Sequence, residues 1–498
     1  MTVDDVSVVL VGITALRVFA PDVCKASRLL LRAGVRVGVS ELLQHTARTS
    51  ARPLRPPTTR RPEVMNNFPS YEDSDGASEA QFDLHGVHYV MPPALEAFVD
   101  LYAKPHLRYA HTMLGDKQAA RAVPLVGGPV EVRGALDLEA TQAGVMPRRL
   151  PAWTKEQYQD PSVYGVTVMP SGVWLVFRTD AHTLEFEVLT STVQLDSDPH
   201  PRPTGMLELL VDGVLAGRQQ APVGNVLRMA GSWAVQQFIP GEPGTVRSAG
   251  LPAGMKDVEL WLPQQTPTEL VALRADGDVL APLPDGRRRW VHHGSSISHC
   301  IEADGPRGTW PVVAAALGGV EVINLSQAGN ALLDPYVART IRDTPADLIS
   351  LKVGINIVSL SAFRLRTFGP AVHGFLDTIR DGHPDTPLLL ISPVSCPVVE
   401  ETPGPTATGP DGRLAALGDP ADVAGGALSL AVVRAKLARI AAARQASDPH
   451  LHYLDGRELL GPDEADDLAD GLHPTAAAYR RMGKPFAAHA FATDGPFR

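Results

Sequence analysis

Residues 290–298 read WVHHGSSIS. A short apolar run that stops at a glycine and turns into serines predicts the end of a buried strand and the start of a helix. Four more runs of the same kind follow: VEVINLS (320–326), LISLKVG (348–354), LLLISPV (388–394) and LHYLDG (451–456). Helix-length stretches separate them, around 310–318, 333–343, 360–381 and 428–444, with a last one from Pro474. Five strands alternating with helices predict an α/β domain over 286–498, with a parallel sheet covered on both faces. Such sheets place ligands at the C-terminal strand ends, so the loops after the runs should carry any chemistry.

Upstream, over 122–285, the period changes to two. VEVRGALDLE (130–139), GVWLVFRTD (172–180), TLEFEVLTSTVQL (183–195), MLELLVDGVL (206–215) and KDVELWLP (256–263) alternate between Gly, Pro and Asp turns. That pattern predicts an antiparallel β-sandwich preceding the α/β domain. Trp174, Val176 and Arg178 would share one face and Leu175 and Phe177 the other, with one face buried and one wet. Residues 65–121 read as a lead-in of acidic loop and helix-like pieces. Residues 1–64 hold 10 Lys+Arg against 5 Asp+Glu. Their Pro- and Arg-rich end (46–62) lacks apolar periodicity, which predicts a disordered or dispensable extension, with Met65 an alternative start.

The 498-residue chain carries a formal charge of −10, which argues against nucleic-acid binding through a basic surface. Gly and Pro number 44 each, against an all-helical bundle. The three cysteines, Cys24, Cys300 and Cys396, imply no disulfide framework. The apolar stretch from Val6 to Ala20 is too short to span a bilayer and follows two aspartates, unlike a signal peptide. The expectation is a cytoplasmic protein without membrane attachment. The sequence does not determine its oligomeric state.

Four loops carry the candidate chemistry. Ser296 in GSSIS would sit between strand and helix, with hydroxyl and amide at a positive helix end. Gly329 lets a backbone N–H approach a ligand oxygen without an intervening Cβ. Asn356 can aim its amide into the same cleft. Asp470 lies three residues before His473, close enough to accept from the imidazole Nδ1–H and leave Nε2 free as a base. Pro474 at a first helical position would put His473 at a helix start. Each feature taken alone is equally a cap or a turn.

Taken in order, these residues resemble the SGNH (GDSL) hydrolase family over about 288–492. Gly294, Ser295, Ser296, Ile297 and Ser298 match its first block, Asn324 and Gly329 the second, Gly354 and Asn356 the third, and Asp470, His473 and Pro474 the fifth. The resemblance implies a flavodoxin-like three-layer α/β/α domain with a five-stranded parallel sheet. It implies a catalytic triad of Ser296, His473 and Asp470, and an oxyanion hole from Ser296, Gly329 and Asn356. The sequence departs from the family pattern at Ser295, where Asp is usual, at Ile357 and at Cys300. The sandwich resembles the N-terminal domains of two-domain bacterial members, among them carbohydrate esterases and a biosynthetic acyltransferase.

The expectation is a serine esterase acting on a small-molecule or carbohydrate ester, with no metal and no cofactor. The alternatives are an acyltransferase using the same acyl-enzyme, and a non-catalytic carbohydrate-binding protein. His292 and His293 would point to opposite faces of a strand, which argues against zinc. His293 and His299 are expected to line the cleft. No GxSxG, HExxH or P-loop pattern occurs. The Pro-rich excursion over 394–425 reads as a lid or a surface loop.

Overall fold

A computed structural model describes residues 81–84, 87–90, 121–158, 161–195, 199–230, 235–409 and 412–498. The five apolar runs form β1 (Arg289–His293), β2 (Glu321–Asn324), β3 (Leu348–Lys352), β4 (Leu388–Ile391) and β5 (Leu451–Leu454). All neighbours are parallel, in the order β2-β1-β3-β4-β5. The order reverses at β1, which opens a crevice above β1 and β3. Every residue of β3 and β4 is buried, as strands covered on both faces require.

The α-helices of this domain are α1 (Ser296–His299), α2 (Trp310–Gly318), α3 (Pro335–Asp343), α4 (Ile355–Ser359), α5 (Leu365–Arg380), α6 (Leu430–Arg444) and α7 (Ala476–Ala490). Alternation along β1 sends its side chains to both layers. Trp290 stacks on Phe486 of α7 at 4.9 Å, and His292 meets Trp310 of α2 edge-on at 4.8 Å. His293 faces the other way, onto Phe375 of α5. Trp290, Trp310 and Phe486 are fully buried, and each contributes roughly 1.5–3 kcal/mol relative to an exposed ring. Trp290→Ala would leave a cavity between the sheet and the layer of α2 and α7.

The last helix begins later than expected. The Thr475 hydroxyl accepts from Ala478 N–H and caps α7, so Pro474 lies before the cap. Pro474 instead pairs across an isolated bridge with Leu468. His473 therefore sits in a closed turn, outside the helix.

The sandwich is made of two sheets. One contains 214–220, 206–211, 256–261, 174–179 and 279–280, with 131–133 also on 174–179. The other contains 235–239, 225–229, 183–195, 268–275, 145–148 and 137–140, with 244–249 and 121–123 attached. Pairing is antiparallel except between 225–229 and 183–195. Leu175 and Phe177 lie in the sandwich core as alternation requires. One of the two faces was expected to be wet, yet Trp174 and Val176 on the other face are also buried, 1% and 8% exposed. Trp174 stacks on Trp261 at 4.5 Å, and both join the apolar cluster of the α/β domain. The 174–179 strand is buried on both faces because that domain covers its outer side.

Residues 81–84 and 87–90 form an antiparallel pair where acidic loop and helix-like pieces were expected. The expectations for 1–64 and for the rest of 65–120 lie outside the described residues. Among the described residues, no helix is long and apolar enough to cross a membrane.

Candidate active site

The chain leaves β1 through Gly294, where a Cβ would lie 2.5 Å from Ser298 Oγ, so the turn needs a glycine. Ser295 then caps α1, its hydroxyl accepting from Ile297 N–H. This places Ser296 first in the helix, with Oγ 2.9 Å from His473 Nε2. Ser296 and His473 are 3% and 6% exposed, so the pair is shielded but reachable.

Asp470 builds the other end of this chain of hydrogen bonds. Its Oδ1 accepts from Leu472 N–H at 2.9 Å and His473 N–H at 2.7 Å. That leaves Oδ2 to accept from His473 Nδ1 at 2.7 Å. Burial alone would raise the Asp470 pKa, but the bonds and charge of His473 and the two amides hold it well below the usual range. For His473, burial works against the charged ring. The carboxylates of Glu302 and Asp470 outweigh it and raise the imidazole above its ordinary 6.5. The segment read as a lid or a surface loop packs here. It contains a short antiparallel pair, Thr406–Thr408 with Leu414–Ala416. Leu414 N–H donates to Asp470 O at 2.9 Å, and Cys396 Sγ meets Gly471 O at 3.3 Å.

On the opposite side of Ser296 runs the loop after β2. Gln327 N–H donates to Gly294 O at 2.8 Å, which ties this loop to the β1 exit. Gly329 has φ 72°, a left-handed conformation that favours glycine. Two residues on, Ala331 N–H donates to Asn356 Oδ1 at 3.2 Å. That bond fixes the Asn356 amide by its oxygen and leaves the NH2 for another partner. Leu332, Leu333, Asp334, Phe363 and Phe375 line an adjacent cavity of about 530 Å³, whose wall includes none of Ser296, Asp470 and His473.

The remaining candidate residues settle differently. His293 and His299 were expected to line the cleft, but they are 1% and 0% exposed. Their ring nitrogens bond to Leu325 O and Gln264 O, and burial pushes both pKa values down. Cys300 is buried and its thiol is pushed well up by desolvation, which disfavours a nucleophilic thiolate. Glu302 was missed. It lies six residues beyond Ser296, and Tyr479 Oη–H donates to its Oε2 at 3.0 Å. No motif signals it.

This geometry coincides with a recognised sequence family. Residues 293–481 match the model of the GDSL-like lipase/acylhydrolase family. The chain carries a GDSL-like lipase/acylhydrolase domain. Residues 130–270 match the SsfX3 N-terminal domain, so the GDSL domain follows a module of that type. The protein is thereby a serine hydrolase, an acyl-ester hydrolase or acyltransferase by class. Among solved structures, the salicylyl-acyltransferase SsfX3 from a tetracycline biosynthetic pathway is 28% identical, with a TM-score of 0.61. That match covers 74% of this chain and 96% of SsfX3. A protein from Bacteroides ovatus described as a GDSL-like lipase is 18% identical, with a TM-score of 0.51. It is covered to 96%, with 72% of this chain, and shares the fold. No curated protein sequence matches the chain.

Proposed function

We propose that the protein cleaves an acyl ester of a small-molecule or carbohydrate alcohol through an acyl-enzyme on Ser296. The observation that carries this reading is the unbroken chain Ser296 Oγ, His473 Nε2, His473 Nδ1 and Asp470 Oδ2, with links of 2.9 and 2.7 Å. Ser296 Oγ attacks the acyl carbon while neutral His473 takes its proton at Nε2. The charge that develops on the carbonyl oxygen meets the N–H groups of Ser296 and Gly329 and the Asn356 NH2. His473 then returns the proton to the leaving alkoxide. Water, deprotonated by the same nitrogen, releases the acid and restores Ser296. Asp470 holds the productive tautomer and balances the imidazolium. The chemistry requires no metal or organic cofactor.

A fluorophosphonate probe tests this directly. One adduct is expected, on the peptide holding Ser296, and Ser296→Ala should abolish both adduct and ester cleavage. Labelling at Ser298 or Cys300 instead would overturn the assignment.

A second reading, acyl transfer, is favoured by the likeness to SsfX3. There an alcohol or amine replaces water in the second step. Product analysis with aryl esters of graded chain length and acetylated sugars, with and without acceptors, separates the two. A product carrying the acyl group on the acceptor, formed faster than free acid, selects transfer.

A further inference from the structure

We infer that Arg149, a residue of the β-sandwich, is a positioning residue for the oxyanion loop of the GDSL domain. The inference rests on the reading of Ser296 as the nucleophile. Arg149 is wholly buried. Its Nε–H donates to Met169 O at 2.7 Å, within the sandwich half. Its Nη1 donates across the domain boundary to Asn324 O at 2.9 Å and Ser326 O at 2.5 Å. Its Nη2 donates to Val166 O and faces His299 Nδ1 at 3.2 Å. The five donors of the guanidinium thus meet five acceptors. Burial draws the pKa down to about 9, which leaves the group protonated at neutral pH. No carboxylate pairs with it among the described residues, so this costly buried charge is offset by carbonyls and one imidazole.

The acceptors matter because of where they lie. Asn324 ends β2, and Ser326 opens the loop that reaches Gly329. His299 ends α1, three residues after Ser296. Its Nε2–H donates to Gln264 O of the sandwich at 2.9 Å, which leaves Nδ1 as the acceptor for Arg149. Ser171, also from the sandwich half, closes the frame. Its hydroxyl donates to His299 O at 2.7 Å and accepts from Asn324 Nδ2 at 3.1 Å. The sandwich therefore grips the nucleophile helix and the oxyanion strand with the same group of side chains. An oxyanion donor acts only when held within tenths of an ångström of its target. A helix of four residues and an irregular loop have little rigidity of their own. The frame gives the sandwich a part in the acyl chemistry, distinct from binding a carbohydrate.

The test uses full-length Arg149→Ala, Arg149→Lys and Ser171→Ala, with Ser296→Ala as control. A misplaced donor lowers kcat by about 10–100-fold in Arg149→Ala, with KM within about twofold. Millimolar guanidinium should restore kcat saturably in that variant and not raise it in the parent. Ser171→Ala keeps the guanidinium and should fall by only a few-fold. If Arg149→Ala does not fold, Arg149→Lys, which keeps the charge but loses the fork, is expected to show the same kcat-specific loss. Folded Arg149 variants with parental kcat overturn the proposal. So does a loss shared by KM that guanidinium leaves untouched. If Ser296→Ala keeps its activity, the acyl-enzyme reading falls instead, a result independent of the Arg149 series.

Discussion

The Asp470–His473 turn closes on itself within four residues, whereas the loop carrying Gly329 is held by groups from three distant stretches: Arg149, Gly294 and Asn356. In the turn, one carboxylate satisfies two amides and the imidazole at once. Its geometry is fixed locally, and a four-residue motif suffices to predict it. The proposed oxyanion side has no such motif. Its carbonyls are fixed by an arginine from another domain, about 175 positions away in the chain. Acid–base geometry can thus be encoded in a short segment, while placement of electrostatic donors is delegated to the packing of two domains.

The strongest way to break the self-contained end is to remove the base. His473→Ala should lower kcat by roughly 10³-fold or more, because Ser296 then has no proton acceptor within reach. A steady-state assay on an aryl ester reads this. Retained activity would transfer the role of base elsewhere, and the buried, depressed His293 and His299 would be poor successors.

Asp470→Asn should cost about 10²–10⁴-fold in kcat. If the amide oxygen keeps the Leu472 and His473 N–H groups, its NH2 faces His473 Nδ1 and selects the tautomer protonated at Nε2. That tautomer cannot take the serine proton. If the amide turns over, its NH2 faces two backbone N–H groups, and the turn itself is strained. A melting temperature near the parent's with a collapsed kcat identifies the first case.

The oxyanion end should yield less. Asn356→Ala is expected to lower kcat by about 10²–10³-fold, or roughly 2.7–4 kcal/mol, with little change in KM. Asn356 has two jobs, since its oxygen also holds Ala331 N–H. Asn356→Asp keeps that acceptor and deletes the donor. Equal losses in the two variants assign the effect to the missing NH2. A much milder loss in Asn356→Asp would show that the residue acts by holding the loop.

How much was legible follows the same division. The five apolar runs each became a strand, because short apolar runs between amphipathic helices have one common solution in a parallel sheet. That Ser296, Asp470 and His473 come together was legible because strand ends and a tight turn dictate where their side chains go. The buried outer face at Trp174 and Val176 was not, since alternation tells which residues share a face and not what covers it. Arg149 was invisible for the same reason. An arginine in RRLPAW reads as surface charge until a second domain supplies its acceptors. Glu302 sits in a polar loop whose sequence resembles any turn.

Glu302 offers the smallest and most selective probe, because it tunes the turn from outside without belonging to it. His473 must be neutral to accept the serine proton. Its pKa is raised, so kcat/KM should climb with pH and level off only above the ordinary imidazole range. Burial opposes that rise, and the Glu302 charge helps to produce it, together with the hydrogen bond and charge of Asp470. Glu302→Gln removes the charge and keeps an acceptor for Tyr479 Oη–H. The imidazolium then loses one stabilising carboxylate, its pKa falls, and more of the enzyme holds neutral His473 at pH 7. The midpoint of the pH profile should move down, with a gain of about two- to fivefold in kcat/KM near neutrality and none on the alkaline plateau. An unchanged midpoint would leave Asp470 alone as the group that sets the base, and the turn would be self-contained electrostatically as well as structurally.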